Sequence, residues 1–181
     1  EGEGVVVETK PLAKEIKGDK EMRNILNLNQ NWLFTKDTAD INAEGGEAIS
    51  LPHSWNAVDG QDGGDDYFRG TCAYEKRFSA PELDCDQRLY LEFNGVNASA
   101  EVELNGELVM VHHGGYSTFR ADITEHIKSE NHLMVRVDNS VNDRVYPQKA
   151  DFTFYGGIYR DVKLVTVNKY HFDLDYFGGK G

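Results

Sequence analysis

The chain has 181 residues, 39% of them hydrophobic, and a formal net charge of −12. This length suits one main domain with a sizeable core, and no apolar run approaches the about 18 residues that cross a bilayer. The negative charge and the scattered Lys and Arg predict no nucleic-acid partner and no membrane partner, and they favour a neutral ligand.

The first 21 residues, EGEGVVVETKPLAKEIKGDKE, are predicted to be an N-terminal extension. They lack the apolar core and the small-residue cleavage site of a secretory signal. Met22 then opens a segment that is a natural native start. We therefore expect residues 1–21 to be an extension of the domain or a segment added to the native protein. The protein itself is expected to be cytoplasmic, and the alternative is a secreted protein whose signal has been removed.

From Trp32 onward the apolar residues recur with period two, which is typical of strands. In RLYLEF, Leu89, Leu91 and Phe93 share one face and the polar residues share the other, as in a half-buried strand. Strands are predicted near residues 32–36, 48–51, 72–78, 88–93, 98–104, 107–111, 117–121, 133–137 and 161–167.

Two local signals interrupt this pattern. Asn105 and Gly106 tolerate positive φ and predict a tight hairpin turn between two of the strands. DITEHIKSE, residues 122–130, looks helical, with Asp122 or Thr124 as the N-cap, but it is too short for more than one or two turns. Eight or nine short strands without βαβ alternation predict an all-β protein, with two antiparallel sheets in a sandwich or jelly roll.

Cysteine and histidine provide no candidate chemistry. Cys72 and Cys85 are predicted to be free and buried, because a chain of this length does not need a disulfide. His112 and His113 point to opposite faces of a strand and cannot chelate one ion. The acidic loop DGQDGGDD lacks calcium-ligand spacing and is predicted to be solvated; it contains Asp59, Asp62, Asp65 and Asp66.

The most informative segment is ADFTFYGGIYR, residues 150–160, where Asp151 precedes an aromatic and glycine-rich run. A carboxylate offers only acceptors and suits a ligand rich in hydroxyl donors, such as a sugar, and aromatic rings can stack on a pyranose. The alternative is that Asp151 caps a turn while Phe152, Phe154 and Tyr155 fill the sandwich. The residue chemistry alone leaves both interpretations open.

Seven motifs occur in order between about Asn31 and Val167: NWLF, LPHSWN, DYFRGTCAYEKRF, LEFNGVNASAEVELNG, GGYSTFRADIT, VDNS and DFTFYGGIYRDV. Together they resemble the amino-terminal domain of glycoside hydrolase family 2, the β-galactosidase and β-glucuronidase family. The resemblance implies a jelly-roll, galactose-binding-like sugar-binding domain over residues 22–167. Residues 168–181 resemble the run into a following immunoglobulin-like domain.

In that family a catalytic (β/α)8 barrel follows the immunoglobulin-like domain and carries the acid/base and nucleophile glutamates. A barrel needs about 250 residues, so this chain alone is expected to be inactive. The partners implied are its own downstream domains and a small carbohydrate, and the parent enzyme is expected to be a homo-oligomer. The implied reaction is retaining hydrolysis, with a galactoside as the preferred substrate and a glucuronide left open.

The resemblance also assigns residues. Asp151 matches the family aspartate that reaches into the active site of the barrel and contacts glycone hydroxyls; in some galactosidases this aspartate also contacts a monovalent cation. Tyr67 and Arg69 lie where some relatives supply a second polar contact, and Arg160 is expected to pair with a carboxylate. No cofactor or metal is expected in this chain, although the intact enzyme could hold a monovalent or magnesium cation. An independent carbohydrate-binding module and a purely structural buttress remain alternatives.

Overall fold

The computed structural model describes residues 23–36, 46–57, 67–146 and 153–175. These residues form ten strands and no α-helix, and none of them forms a helix long and apolar enough to cross a membrane. The strands are β1 (Arg23–Asn27), β2 (Trp32–Thr35), β3 (Glu47–Ile49), β4 (Thr71–Ser79), β5 (Gln87–Phe93), β6 (Ser99–Leu104), β7 (Glu107–His113), β8 (Phe119–Asp122), β9 (Glu130–Asp138) and β10 (Val162–Asn168).

The strands form two antiparallel sheets, in the order β1-β10-β5-β8 and β3-β2-β4-β9-β6-β7. Alternate residues of both sheets face a shared apolar core, as period-two alternation requires. Leu89, Leu91 and Phe93 are fully buried, and so are Val102 and Leu104 from the other sheet. The predicted all-β jelly-roll sandwich is confirmed.

The predicted hairpin is also confirmed. Asn105 and Gly106 have φ values of 56° and 86°, and they join β6 to β7. Both positive values are those of a two-residue hairpin turn, in which glycine carries no steric cost.

Three expectations need correction. Residues 123–129 form no helix: a single turn bonds the amides of His126 and Ile127 to the carbonyl of Ile123, and β9 begins at Glu130. Strand β1 was not predicted; it pairs with β10 at the edge of its sheet. Cys72 and Cys85 are free and Cys72 is buried, as expected, but Cys85 is exposed.

Candidate functional site

The described residues that flank the sequence-predicted site lie at one end of the sandwich, where β4 begins and β9 ends. Thr71 pairs with Asp138 there, whereas Ser79 pairs with Glu130 at the opposite end. We call the first the candidate end. The segments that gather there lie outside the strands, so their backbone polar groups have no partners in a sheet ladder and need other partners.

Side chains and isolated backbone groups supply those partners for the segment Phe154–Ile158. The carbonyl of Tyr155 accepts a hydrogen bond from Asn97 Nδ2 at 2.7 Å, and the carbonyl of Gly156 accepts one from Ser54 Oγ at 2.8 Å. Gly157 and Asn97 exchange two backbone hydrogen bonds of 3.0 and 3.1 Å. The backbone that follows Asp151 in the sequence is therefore anchored to two other parts of the chain, at Asn97 and at Ser54.

Two further asparagines lie beneath the same segment, and both are completely buried. Asn139 Nδ2 donates to the carbonyl of Phe154 and to Asn56 Oδ1, each at 3.2 Å. Asn56 Oδ1 also accepts from the amide of Gly156 at 2.8 Å. These bonds satisfy polar groups that would otherwise be costly to bury.

The two adjacent glycines pack against an aromatic cluster that joins Phe34, His53, Trp55 and Tyr74. A Cβ atom on Gly156 would lie 2.0 Å from Trp55 Cζ2. Gly157 has a φ of 129°, and a Cβ there would lie 2.5 Å from the carbonyl oxygen of His53. Both positions therefore require glycine, which explains the double glycine that the sequence pattern singled out.

Titratable groups in this region are perturbed by burial. His53 Nδ1 lies 2.9 Å from the Tyr74 hydroxyl, and burial lowers the pKa of His53, with a smaller opposing effect from Glu47. Burial also raises the pKa of Tyr74. Both groups are therefore neutral near pH 7, and the pair acts as a neutral hydrogen-bonded contact.

Asp138 shows the opposite balance. Burial by itself would raise its pKa, but hydrogen bonds from Thr71 and Ser140 and the charge of Arg69 lower the pKa overall. Asp138 is therefore ionised at neutral pH and is held both by Ser140 in its own loop and by Thr71 of β4.

Of the sequence-predicted contacts, Tyr67 and Arg69 are half-buried at the candidate end. Arg69 Nε donates to the carbonyl of Asn139 at 2.8 Å, and the guanidinium carbon lies 5.5 Å from the ring centre of Phe154 and 6.0 Å from that of Tyr67. The structure thus brings Tyr67 and Arg69 together with the aromatic run that follows Asp151.

Asp151 and Phe152 lie outside the described residues, as do Asp59, Asp62, Asp65 and Asp66 of the acidic loop. Of the neighbouring aromatics, Phe154 is buried and Tyr155 is 41% exposed. The aromatic run is therefore divided between core packing and the surface. The role of Asp151 itself stays a prediction.

Arg160 does not behave as expected within the described part of the chain. It is exposed, its guanidinium lies 5.5 Å from the ring centre of Tyr159, and it forms no ion pair with a described carboxylate. The adjacent Asp161 pairs instead with Asn29 and Lys163.

The described residues contain no cluster of three potential metal ligands. His112 Nε2 bonds to the carbonyl of Gly114, and His113 Nδ1 bonds to Ser99 Oγ. An open cleft of about 470 Å³ lies beside the candidate end, over β6, β7 and β9 and the loop that follows β9. Several polar groups of its lining already bond to one another, including Arg144 to His113 and Thr71 to Asp138.

Sequence reasoning missed the three asparagines that are buried at the candidate end. Asn56, Asn97 and Asn139 appear within motifs that were quoted for the family resemblance, but their hydrogen-bond partners lie up to 100 positions away in the chain. No local pattern encodes partners at such separations. Their occurrence just after strands or turns was the available signal.

Fold and site together define a two-sheet β-sandwich domain with a loop-built polar surface at one end. Residues 25–168 match the sequence pattern of the family described as Glycosyl hydrolases family 2, sugar binding domain. The chain therefore belongs to glycosyl hydrolase family 2, and the region matched is the sugar binding domain of that family.

Individual relatives agree with this assignment. The chain is 40% identical over 174 residues to a putative β-glucuronidase of Formosa agariphila and 39% identical over 145 residues to a β-glucuronidase of Bacteroides fragilis. It is 34% identical over 166 residues to a β-galactosidase of Thermoanaerobacter pseudethanolicus. These alignments cover 92%, 78% and 86% of the chain, respectively, but the chain spans only about a fifth of the length of each relative, 21%, 20% and 22%.

A solved structure is similar as well. The crystal structure of an FMN-binding β-glucuronidase from Facaelibacterium prausnitzii L2-6 matches 88% of this chain with a TM-score of 0.80 and 42% identity, over 25% of its own chain. An identity of 42% means that the two chains resemble each other in sequence as well as in fold.

Proposed function

We propose that this domain contributes substrate contacts to a larger retaining β-glycosidase, and that the intact enzyme is a β-glucuronidase. The observation that carries the choice of substrate is the identity of 40% to a protein named a putative β-glucuronidase and of 42% to one named a β-glucuronidase, against 34% to one named a β-galactosidase. The galactoside favoured by the sequence analysis is thus the second candidate.

The role proposed for this chain is binding and orientation of the sugar. Asp151 accepts hydrogen bonds from glycone hydroxyls through its carboxylate, while Arg69 and Tyr67 offer donors at the candidate end. Hydrogen bonds to a charged group contribute about 1.5 to 3 kcal/mol each. Contacts that become stronger in the transition state raise kcat as well as affinity.

The bond-breaking steps are assigned to two carboxylates of another domain, in line with the usual retaining mechanism. A covalent intermediate is supported by a related structure, a Bacteroides uniformis β-glucuronidase described as covalently bound to cyclophellitol-6-carboxylate aziridine; it is 34% identical to this chain, with a TM-score of 0.76. The candidate end then forms one wall of a site that the second domain completes.

The experiment compares p-nitrophenyl β-glucuronide with p-nitrophenyl β-galactoside as substrates of the intact enzyme. We expect kcat/KM to be at least about 10-fold higher for the glucuronide, because each 1.4 kcal/mol of differential binding gives a factor of ten. Equal or reversed preference would contradict the glucuronidase assignment and favour the galactosidase.

The same assay tests Asp151. Asp151→Asn should lower kcat/KM on the better substrate by about 10- to 100-fold, the equivalent of one charged hydrogen bond. Asp143→Asn is the matched control, because Asp143 is an exposed carboxylate in the loop that follows β9. Equal activity of the two variants would remove Asp151 from the site.

The second candidate function is an independent carbohydrate-binding module. It is favoured by Tyr116, Tyr146 and Tyr155, which are 54%, 72% and 41% exposed and follow strands at the candidate end or lie in its loops. Calorimetry of the chain with glucuronic acid, galactose and lactose tests it. Millimolar or tighter binding supports a module, whereas no heat of binding supports a wall that needs its second domain.

A further inference from the structure

Asn139 and Asn56 join four loop segments that are far apart in the sequence. Asn139 Oδ1 accepts from the amide of Gly70 at 2.9 Å, and Asn56 Nδ2 donates to the carbonyl of Phe68 at 2.9 Å. The same two side chains bond to each other and hold the segment Phe154–Gly156, as described above. We call this pair the asparagine clamp.

Both the oxygen and the nitrogen of each amide in the clamp take part in hydrogen bonds. Asn139 receives one hydrogen bond and donates two, while Asn56 Oδ1 receives two. A carboxylate of the same shape cannot donate, and an apolar side chain can do neither. Side chains satisfied in this way inside a low-dielectric core fix one arrangement of the segments that they join.

The clamp also reaches a proposed substrate contact directly. The backbone carbonyl of Asn139 holds Arg69 Nε at 2.8 Å, while its side chain holds the carbonyl of Phe154, whose ring lies beside the Arg69 guanidinium. A shift of Asn139 would therefore move Arg69 and the segment after Asp151 relative to each other. A misplacement of about 1 Å in a positioning group can cost about 100-fold in rate.

We infer that Asn139 and Asn56 are positioning residues, which set the separation between Arg69 and the segment Phe154–Gly157 and thereby the geometry of the substrate-binding wall. This inference rests on the proposed function, because it needs the candidate end to contact the substrate. It adds two residues that make no proposed substrate contact themselves.

The molecule contains a matched control at the opposite end of the sandwich. Asn131 is 3% exposed, and its Oδ1 accepts from Asn105 Nδ2 and from the amide of Lys128. Its Nδ2 donates to the carbonyls of Lys128 and Phe78. Asn131 is thus as buried and as fully bonded as Asn139, and it lies about 27 Å away, since eight steps of about 3.4 Å along β9 separate the two ends.

The experiment compares Asn139→Asp with Asn131→Asp in the intact enzyme, assayed below the melting temperature of both variants on the substrate that the wild type hydrolyses best. Each change keeps the side-chain shape and removes two donors, so both variants should melt at lower temperature. We expect kcat/KM to fall about 10- to 100-fold for Asn139→Asp and to stay within about twofold of wild type for Asn131→Asp. Equal activities of the two variants would overturn the inference.

A double variant separates positioning from general destabilisation. If Asn139 acts partly through Arg69, the losses in kcat/KM for Asn139→Asp and Arg69→Gln should not multiply in the double variant, because coupled residues are non-additive. Losses that multiply would overturn the link to Arg69. If Asn139→Asp does not fold, Asn56→Asp replaces it: this change removes the amide nitrogen that donates to the carbonyl of Phe68, and it should lower kcat/KM by about three- to tenfold.

A failure of the proposed function would give different assay results from a failure of the inference about the asparagine clamp. An enzyme that prefers the galactoside contradicts the glucuronidase assignment, but the clamp is then tested on the galactoside. If Asp151→Asn and Arg69→Gln both keep full activity, the candidate end does not contact the substrate, and full activity of Asn139→Asp is then expected for that reason.

Discussion

Buried asparagine side chains hold both ends of the sandwich together. The two ends differ in how far apart in the sequence the hydrogen-bonded residues are. At the opposite end, Asn131 bonds to Lys128, three positions away, to Asn105, 26 positions away, and to Phe78, 53 positions away. At the candidate end, Asn139 and Asn56 reach partners 69, 83 and 100 positions away. The opposite end thus combines a local turn with partners up to 53 positions away, whereas the candidate end is assembled from segments up to 100 positions apart.

The difference suggests why a binding surface would form at one end. Long-range hydrogen bonds let loops from several parts of the sequence place their side chains on one rigid support, and such support is what a binding site requires. The conformation of the hairpin turn is set by its two residues, Asn105 and Gly106, and the Asn105 side chain only ties the finished turn to Asn131.

The largest predicted effect is the loss of stability caused by a substitution at Gly156. Gly156→Ala would place a Cβ 2.0 Å from Trp55 Cζ2, in a buried contact that cannot expand without moving the aromatic cluster. We expect a loss of about 3 kcal/mol or more in the free energy of unfolding, measured by urea denaturation of the chain.

The matched change at the opposite end is Gly106→Ala. Nothing lies within 4 Å of a Cβ placed there, and the only cost is its φ of 86°, about 1 to 2 kcal/mol. Equal losses at the two glycines would show that Gly156 is not held as tightly as the packing indicates.

The sequence could predict the elements that have a local pattern, and it could not predict those that lack one. The strands with strict alternation were predicted, because Leu89, Leu91 and Phe93 fill a core face whose period is intrinsic to a strand. Strand β1 was missed: it is an edge strand with Ile25 and Leu26 half exposed, so its sequence lacks a buried stripe. The prediction of a helix at residues 122–130 was wrong. Asp122 caps only a single turn, and Asn131, at the start of β9, then bonds to the carbonyl of Lys128.

The candidate site was predicted only in part. Motif order located the segment after Asp151 and the neighbourhood of Tyr67 and Arg69, and the structure brings those two regions together at Asn139. The asparagine clamp was not predicted, since an isolated asparagine in a loop has the same sequence signal whether it caps a turn or joins distant segments.

A smaller effect is predicted for two hydroxyl groups, one at each end. Ser54 Oγ donates to the carbonyl of Gly156 and accepts from the amide of Asn56. Thr124 Oγ1 donates to Asp122 and accepts from the amide of Leu89. Ser54→Ala and Thr124→Val should each lower the free energy of unfolding by about 1 to 2 kcal/mol in urea denaturation.

Only the change at the candidate end should affect catalysis. In the intact enzyme Ser54→Ala should lower kcat/KM severalfold, because it frees the carbonyl of Gly156, while Thr124→Val should leave it unchanged. A loss of activity in both variants would mean that the two ends are not functionally distinct.

The smallest predicted effect is on the pH dependence of stability, and it again differs between the two ends. Burial lowers the pKa of His53 and of His112, and each ring lies near the candidate end, against Tyr74 and Phe119 respectively. A lowered pKa means that the unfolded chain binds protons more readily than the folded one, with an ordinary histidine value near 6.5. The stability that these neutral rings contribute is therefore present above about pH 6.5 and is lost as the pH falls through that value towards the folded pKa.

Urea denaturation of the chain between about pH 7.5 and 5.5 should show this loss, and His53→Gln and His112→Gln should each make the dependence shallower. The control is His126→Gln, since His126 lies at the opposite end, where its Nδ1 contacts Glu107 Oε2 at 2.7 Å, away from the aromatic packing of the candidate end. That variant should not make the loss of stability on acidification shallower. If His53→Gln and His112→Gln leave the slope at its wild-type value, the acid sensitivity does not originate in the aromatic packing of the candidate end.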